Sequence, residues 1–279
     1  KFNSATTKNA AYELAANLGC LYTVMPIDAS VASTVAQINE TPVKGQAADF
    51  HLALTPFMTE NIQARDRSSR LLAGIAAAFG AVFTCNANKS ELTIGYSTLY
   101  GDMAGFFAVT ADLWKYQVYE LARYLNEAVY KKEVIPRASL DLVPSAELSF
   151  KQNVDQGLGD PLVYPYHDHL FKAFLEDAAR PAPADILAWY LDGSLEEKIG
   201  CEKGLVKKIF KNSAEFMADL EKWWSLYTGF GVAKRLQGPP LLALSPRAYG
   251  FDYPEAQNGV YYTQEYLRLK KLAQNGAGV

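Results

Sequence analysis

Apolar positions recur at helical spacing from the start of the chain. Ala11, Leu14, Ala15 and Leu18 fall at i, i+3, i+4 and i+7, with Ser4 placed to cap the helix and Gly19 to stop it. The run CLYTVMPI, residues 20–27, then reads as a short strand. A second helix is expected over 29–40, then a loop through Pro42 and Gly45. Pro56 suits the first turn of a longer helix that reaches Phe79 and ends at Gly80. AVFTC, residues 81–85, follows as a buried strand. Further on, TADLWKYQVYELARYLN sets Trp114, Val118, Leu121 and Leu125 on one helical face, with the start near Thr110 or Asp112.

Strands alternating with helices predict an α/β fold, a parallel sheet flanked by helices. From about residue 141 the pattern changes. DLVPSAELSFKQNVDQGLGDPLVYPYHDH is irregular, helical patterns return around 183–227, and GPPLLALSPRAYGFDYP follows. The closing AQNGAGV reads as a frayed tail. No internal repeat divides the 279 residues, so one domain over 1–279 with an irregular and helical C-terminal part is expected.

Composition narrows the class. Apolar residues make up 49% and charged residues 20%, with a net charge of −3, which argues against a general nucleic-acid or membrane surface. The longest uncharged stretch near a strand, LLAGIAAAFGAVFTC, is too short to span a bilayer comfortably. Cys20, Cys85 and Cys201 are odd in number, far apart and in apolar surroundings, which reads as buried reduced thiols in a cytoplasmic protein.

Chemistry gathers at NKSELTIGYSTLYGD, residues 88–102. Ligands of open α/β sheets bind at the carboxyl ends of strands, and this stretch follows AVFTC. Two roles are open for Glu91: ligand to a hard cation such as Mg²⁺, or cap of the next helix with Asn88 or Ser90. Arg65, Arg67 and Arg70 share one helix with Asn61, either as anion-binding forks or as a solvated face balanced by Asp66. Lys115 near a helix N-terminus opposes the macrodipole unless an anion is present; otherwise it is an ordinary exposed lysine. In VPSAEL, Ser145 can face a phosphate or metal, or cap a helix with Glu147 in its first turn. His167 and His169 lack a third clustered ligand and read as structural or surface residues. The pair Trp223–Trp224 reads as helix packing.

ENIQAR, NKSELTIGYSTLYGD, DLWKYQVYELARYLN, PSAEL and KRLQGPP follow one another in an order and spacing that resembles the NAD synthetase family. The resemblance is to the synthetase domain of the glutamine-dependent enzymes. It implies the adenine nucleotide alpha hydrolase-like fold of the N-type ATP pyrophosphatases. It also implies ATP-dependent amidation of deamido-NAD to NAD through an adenylylated intermediate, a ligase reaction that forms a C–N bond. By the same resemblance Glu91 is the Mg²⁺-linked carboxylate beside deamido-NAD, and Ser145 the hydroxyl near metal and triphosphate. Lys115 neutralises the ATP phosphates, and these last two form the catalytic pair. Asn61, Arg65, Asp102 and Lys234 match deamido-NAD contacts, Arg65 also touching ATP. Asn86 stands where relatives place a threonine that contacts ATP. A homo-oligomer, and ammonia delivered by a glutaminase domain, are implied as partners.

One departure is large. The family's Ser-Gly-Gly-x-Asp-Ser loop, which cradles pyrophosphate on backbone N–H groups, has no counterpart, and the 279 residues hold no adjacent glycines. The expectation is a synthetase piece missing that loop and the first strand, with very slow turnover by itself. Competing readings are a non-catalytic dinucleotide-binding protein and another ATP-pyrophosphatase amidotransferase of the GMP synthetase kind.

Overall fold

In the computed structural model of the chain, which describes residues 3–249 and 260–275, the elements run in this order: α1 (Ala5–Leu18), α2 (Asp28–Glu40), β1 (Pro42–Val43), β2 (Phe50–His51), α3 (Pro56–Arg65), α4 (Ala73–Ala78), β3 (Thr84–Cys85), α5 (Lys89–Ile94), β4 (Phe107–Ala108), α6 (Lys115–Tyr124), α7 (Arg137–Asp141), α8 (Tyr164–Glu176), α9 (Pro183–Asp192), α10 (Leu195–Ile199), α11 (Leu205–Ile209), α12 (Ser213–Thr228), α13 (Phe230–Leu236) and α14 (Gln264–Gln274). They group into two compact units. The first draws on Lys1–Cys85, Thr98–Phe106 and Tyr119–Pro161, the second on Asn86–Ser97, Phe107–Val118 and Leu162–Val279. The GFDYP end of the stretch GPPLLALSPRAYGFDYP and the last four residues of the tail AQNGAGV lie outside the described residues.

In the first unit, local signals place the helix ends. The Ser4 hydroxyl accepts from Thr7 N at 3.1 Å, and Gly19 closes α1 in the left-handed region at φ 67°. Thr55 caps α3 by accepting from Met58 N, with Pro56 in the first turn. Helical structure continues from α3 into α4 through a π-helical turn, Asp66–Leu72, and Gly80 follows at φ 61°. The loop expected at Pro42–Gly45 carries a small antiparallel hairpin instead, β1 on β2.

Four expectations change here. The stripe Ala11, Leu14, Ala15, Leu18 is not the buried face of α1; Ala10 is, because α1 is anchored by polar groups. Asn17 donates to Val134 O at 3.0 Å, and Ser4 and Thr7 engage Glu147. Residues 20–27 form no strand and join no ladder among the described residues, and Leu21 is 88% exposed. In AVFTC only Thr84–Cys85 is strand, with Cys85 buried and Val82 exposed. Of the thiols expected to be buried, Cys85 is buried but Cys20 is exposed.

The second unit holds a dense apolar core. Tyr166, Leu170 and Phe171 of α8, Ile186 and Leu187 of α9, and Phe216, Leu220 and Trp223 of α12 are all buried, and Phe171 meets Trp223 edge-on with centroids 6.0 Å apart. Each such side chain contributes about 2 kcal/mol of burial. Tyr190 stacks on Phe216 with centroids 3.9 Å apart. Helix α8 starts at Tyr164, inside the segment expected to be irregular, with Pro165 tolerated in its first turn. Ala108 forms a parallel bridge to Leu241, with Ala108 N donating to Pro240 O at 2.8 Å.

Candidate functional site

The first turn of α5 shows Glu91 in the capping role. Asn88 Oδ1 accepts from Glu91 N at 3.1 Å, and Glu91 Oε2 accepts from Asn88 N at 3.2 Å, a reciprocal cap. The other oxygen, Oε1, stands 3.9 Å from Lys115 Nζ. One carboxylate therefore both closes the helix and faces the cation. Both side chains are 21% exposed, so the pair is reachable from solvent yet partly dehydrated. The Lys115 ammonium also lies 5.5 Å from the centre of the Tyr164 ring.

Behind this pair the second unit is charged and buried. Lys89 is fully buried and donates to Asp112 at 2.7 Å, Glu176 at 2.8 Å and Ser245 at 3.1 Å. Trp114 Nε1 donates to the same Glu176 oxygen at 2.8 Å. Asp112 accepts further from Leu244 N and Ser245 N. Burial pushes the Asp112 carboxyl up, but Lys89 and those two backbone N–H groups outweigh it and hold it below the ordinary range. The expectation that Thr110 or Asp112 starts the α6 helix is corrected: Asp112 belongs to this network. The first α6 N–H groups are met from other helices, Lys115 N donating to Ser90 Oγ at 3.0 Å and Tyr116 N to Asp168 Oδ2 at 3.1 Å.

In the same unit, Lys234 on α13 turns to the C-terminal end of α5. Its Nζ donates to Gly95 O at 2.6 Å and also to Ser97 O. The approach is close: a Cβ on Gly231 would stand 2.5 Å from Leu226 O and 3.1 Å from Ile94 C. Asn86 is exposed, and its backbone carbonyl accepts from Thr110 Oγ1 at 3.5 Å.

The first unit gathers another three of the expected residues around Thr98 and Leu99. Thr98 Oγ1 donates to Asn61 Oδ1 at 2.7 Å, Arg65 Nε to Leu99 O at 3.2 Å, and Thr98 N to Asp102 Oδ1 at 2.8 Å. Gly101 permits this, because a Cβ there would sit 3.0 Å from Ala64. Arg67 belongs here too: burial lowers its guanidinium's affinity for the proton, while the Asp102 and Glu147 charges oppose that. Arg70 is instead tied to Asp66 by two hydrogen bonds of 2.6 and 2.7 Å, the solvated-face alternative.

Ser145 starts no helix. Its Oγ donates to Gln152 O at 2.7 Å and accepts from Glu147 N at 3.2 Å, in a turn that throws Glu147 into the left-handed region at φ 47°. Glu147 then accepts from Ser4 N, Asn3 Nδ2 and Thr7 Oγ1, capping α1 across more than a hundred residues of sequence.

The histidines are structural, as expected. His167 is buried; Nδ1 accepts from Val163 N at 2.8 Å, which leaves the ring proton on Nε2 toward Asp219, 3.1 Å away. His169 stacks on Tyr116, and burial lowers its proton affinity. Trp223 packs in the core, its Nε1 donating to Asp219 at 2.8 Å. Among the described residues no three His, Cys, Asp or Glu side chains cluster as a self-sufficient metal site. The Glu91 carboxylate is an oxygen donor of the kind a hard cation such as Mg²⁺ takes, and so, separately, is the Ser145 hydroxyl oxygen, which keeps one lone pair. Glu91 lies in the second unit and Ser145 in the first.

The fold defines the class. The crystal structure of a glutamine-dependent NAD(+) synthetase from Cytophaga hutchinsonii matches 96% of this chain, and 39% of that one, with a TM-score of 0.62 at 18% identity. This likeness makes the protein an α/β protein of the adenine nucleotide alpha hydrolase-like fold. The NAD synthase family model matches residues 1–199. The glutamine-dependent NAD(+) synthetase of Rhodobacter capsulatus is 30% identical over 266 residues, 91% of this chain and 40% of that protein. That of Acinetobacter baylyi is 40% identical over 140 residues, 50% of this chain and 25% of that protein. The chain belongs to the NAD synthase family. It spans at most 40% of the length of these relatives.

Proposed function

We propose that the chain is the synthetase part of an enzyme that amidates deamido-NAD at the expense of ATP, the 279 residues acting as one ligase domain. The observation that carries this reading is the Glu91–Lys115 pair, set at the first turns of α5 and α6 in a chain of this family. The chemistry asks for such a pair. A carboxylate is a poor acyl donor, so the nicotinate oxygen first attacks the α-phosphorus of ATP and the bond to pyrophosphate breaks. The nitrogen lone pair of ammonia then attacks the acyl carbon, AMP leaves with its bonding electrons, and the nitrogen sheds a proton. The first step joins two anions, and catalysis is largely charge stabilisation and positioning.

Lys115 supplies the ammonium toward the phosphates, and Glu91 would hold Mg²⁺, which when bound screens the triphosphate charge. In the first unit, Arg65 and Asn61 present a fork and an amide to the substrates, Asp102 orders the loop between them, and Ser145 offers its hydroxyl oxygen. Lys234 exchanges its backbone carbonyls for deamido-NAD. Asn86 donates through its amide to ATP. Cytoplasmic location, a homo-oligomer and ammonia from a glutaminase partner complete the reading.

The test is titration calorimetry of Mg-ATP and deamido-NAD into the 279-residue chain, followed by chromatography of AMP and NAD after incubation with ammonium. Both ligands should bind, Lys115→Ala should weaken Mg-ATP, and NAD should form very slowly without a glycine-pair loop. Binding of xanthosine monophosphate in preference to deamido-NAD would transfer the protein to the GMP synthetase kind. Binding without any AMP release would favour a dinucleotide-binding module.

A further inference from the structure

The N-terminus of α6 carries a group that family resemblance did not single out. Asp168, on α8, is completely buried, and its Oδ2 accepts from Tyr116 N at 3.1 Å. Its Oδ1 has no hydrogen-bond partner among the described residues. Ser90 meets the neighbouring N–H: its hydroxyl oxygen accepts from Lys115 N at 3.0 Å. The same helix carries Tyr164, whose ring lies under the Lys115 ammonium. Lys172, one turn beyond Asp168, donates to the Tyr116 hydroxyl at 3.3 Å. Thus α8 grips the start of α6 at three levels, and the residue delivered there is Lys115.

We propose that Asp168 is a positioning residue: together with Ser90 it fixes the first turn of α6, so that the Lys115 ammonium is held beside Glu91, ready for phosphate. The inference rests on the reading of Lys115 as the phosphate-binding cation. A lysine at a helix N-terminus is disfavoured by the macrodipole, and a buried anion at the same terminus reverses that. Burial raises the Asp168 carboxyl to about 6, with Ser90, Tyr116 N, His167 and Lys115 opposing the rise. It is nonetheless ionised at pH 8. A buried carboxylate with one unsatisfied oxygen is costly to the fold, and a purely structural acceptor in that place needs no charge.

The experiment measures Mg-ATP affinity of the 279-residue chain at pH 8 for wild type, Asp168→Asn, Lys115→Ala and the double variant. Hydrogen exchange of the Lys115 and Tyr116 amides is followed in Asp168→Ala, and thermal unfolding is recorded for each. Asp168→Asn should weaken Mg-ATP about five- to tenfold, the size of losing one charged cap, without lowering the unfolding midpoint. In the Lys115→Ala background the same substitution should add nothing. Asp168→Ala should speed exchange of the two amides at least about tenfold. Unchanged amide exchange, or an equal loss of affinity with and without Lys115, overturns the proposal. Wild type and Lys115→Ala binding Mg-ATP alike overturns instead the assignment of Lys115.

Discussion

Replacing Lys89 by methionine removes the ammonium at the centre of the buried network while keeping much of the side-chain volume. Lys89 and Asp112 are both fully buried, and Glu176 is 22% exposed. Deleting one partner of a buried ion pair costs about 3–5 kcal/mol, because the other charge stays behind uncompensated. Here the low end applies. Asp112 keeps Leu244 N, Ser245 N and the Ser245 hydroxyl, and Glu176 keeps Trp114 Nε1 and some water. A loss of about 3 kcal/mol is expected, moving a urea midpoint by about 1.5 M for a slope near 2 kcal/mol/M. The assay has a built-in address: Trp114, Trp189, Trp223 and Trp224 are the chain's four tryptophans and all belong to the second unit, so their fluorescence reports its unfolding alone. In the variant, Asp112 should also protonate at higher pH. A carboxylate held below its ordinary range adds stability above the unfolded value, 3.8, and that stability is lost as pH falls further; without Lys89 the loss should begin earlier. A change under about 1 kcal/mol with an unmoved acid limb would sink the argument that this network anchors α5.

Two further outcomes are expected. Glu147→Ala removes the acceptor for three donors at the start of α1 and should cost about 2 kcal/mol, read by circular dichroism during urea unfolding; an unshifted transition contradicts the cap. Asp168 has a raised carboxyl, so its protonated form is the one the fold favours. Its contribution is fully present below 3.8 and lost as pH rises through about 6; of the full swing of about 3 kcal/mol, about 1.4 kcal/mol falls between pH 5 and 8, a difference that Asp168→Asn should abolish when tryptophan-monitored stability is compared at those two values.

What was legible in the sequence was local. Ser4, Gly19, Pro56 and Gly80 mark helix ends because caps and stops act within a turn. Glu91 and Lys115, which the motifs marked as candidates, stand 3.9 Å apart. The cap of α6 escaped, since Ser90 and Asp168 arrive from 25 and 52 residues away. So did the start of α8, where Pro165 and two histidines hide the spacing of Tyr166, Leu170 and Phe174. Lys89 sits inside a quoted motif, yet its complete burial depends on Asp112 and Glu176, partners that no periodicity reveals. Strand 20–27 was read from composition alone, whereas a ladder requires a neighbour.

The π-helical turn at Asp66–Leu72 has a consequence for comparing relatives. Such a turn accommodates one residue beyond what an α-helix needs. The face bearing Asn61 and Arg65 and the face continuing through α4 are consequently set out of step by a single position. A homologue shortened by one residue between 66 and 72 would keep both faces where they are, with the bulge ironed out. Gaps falling there mark a straightened helix rather than a lost binding residue.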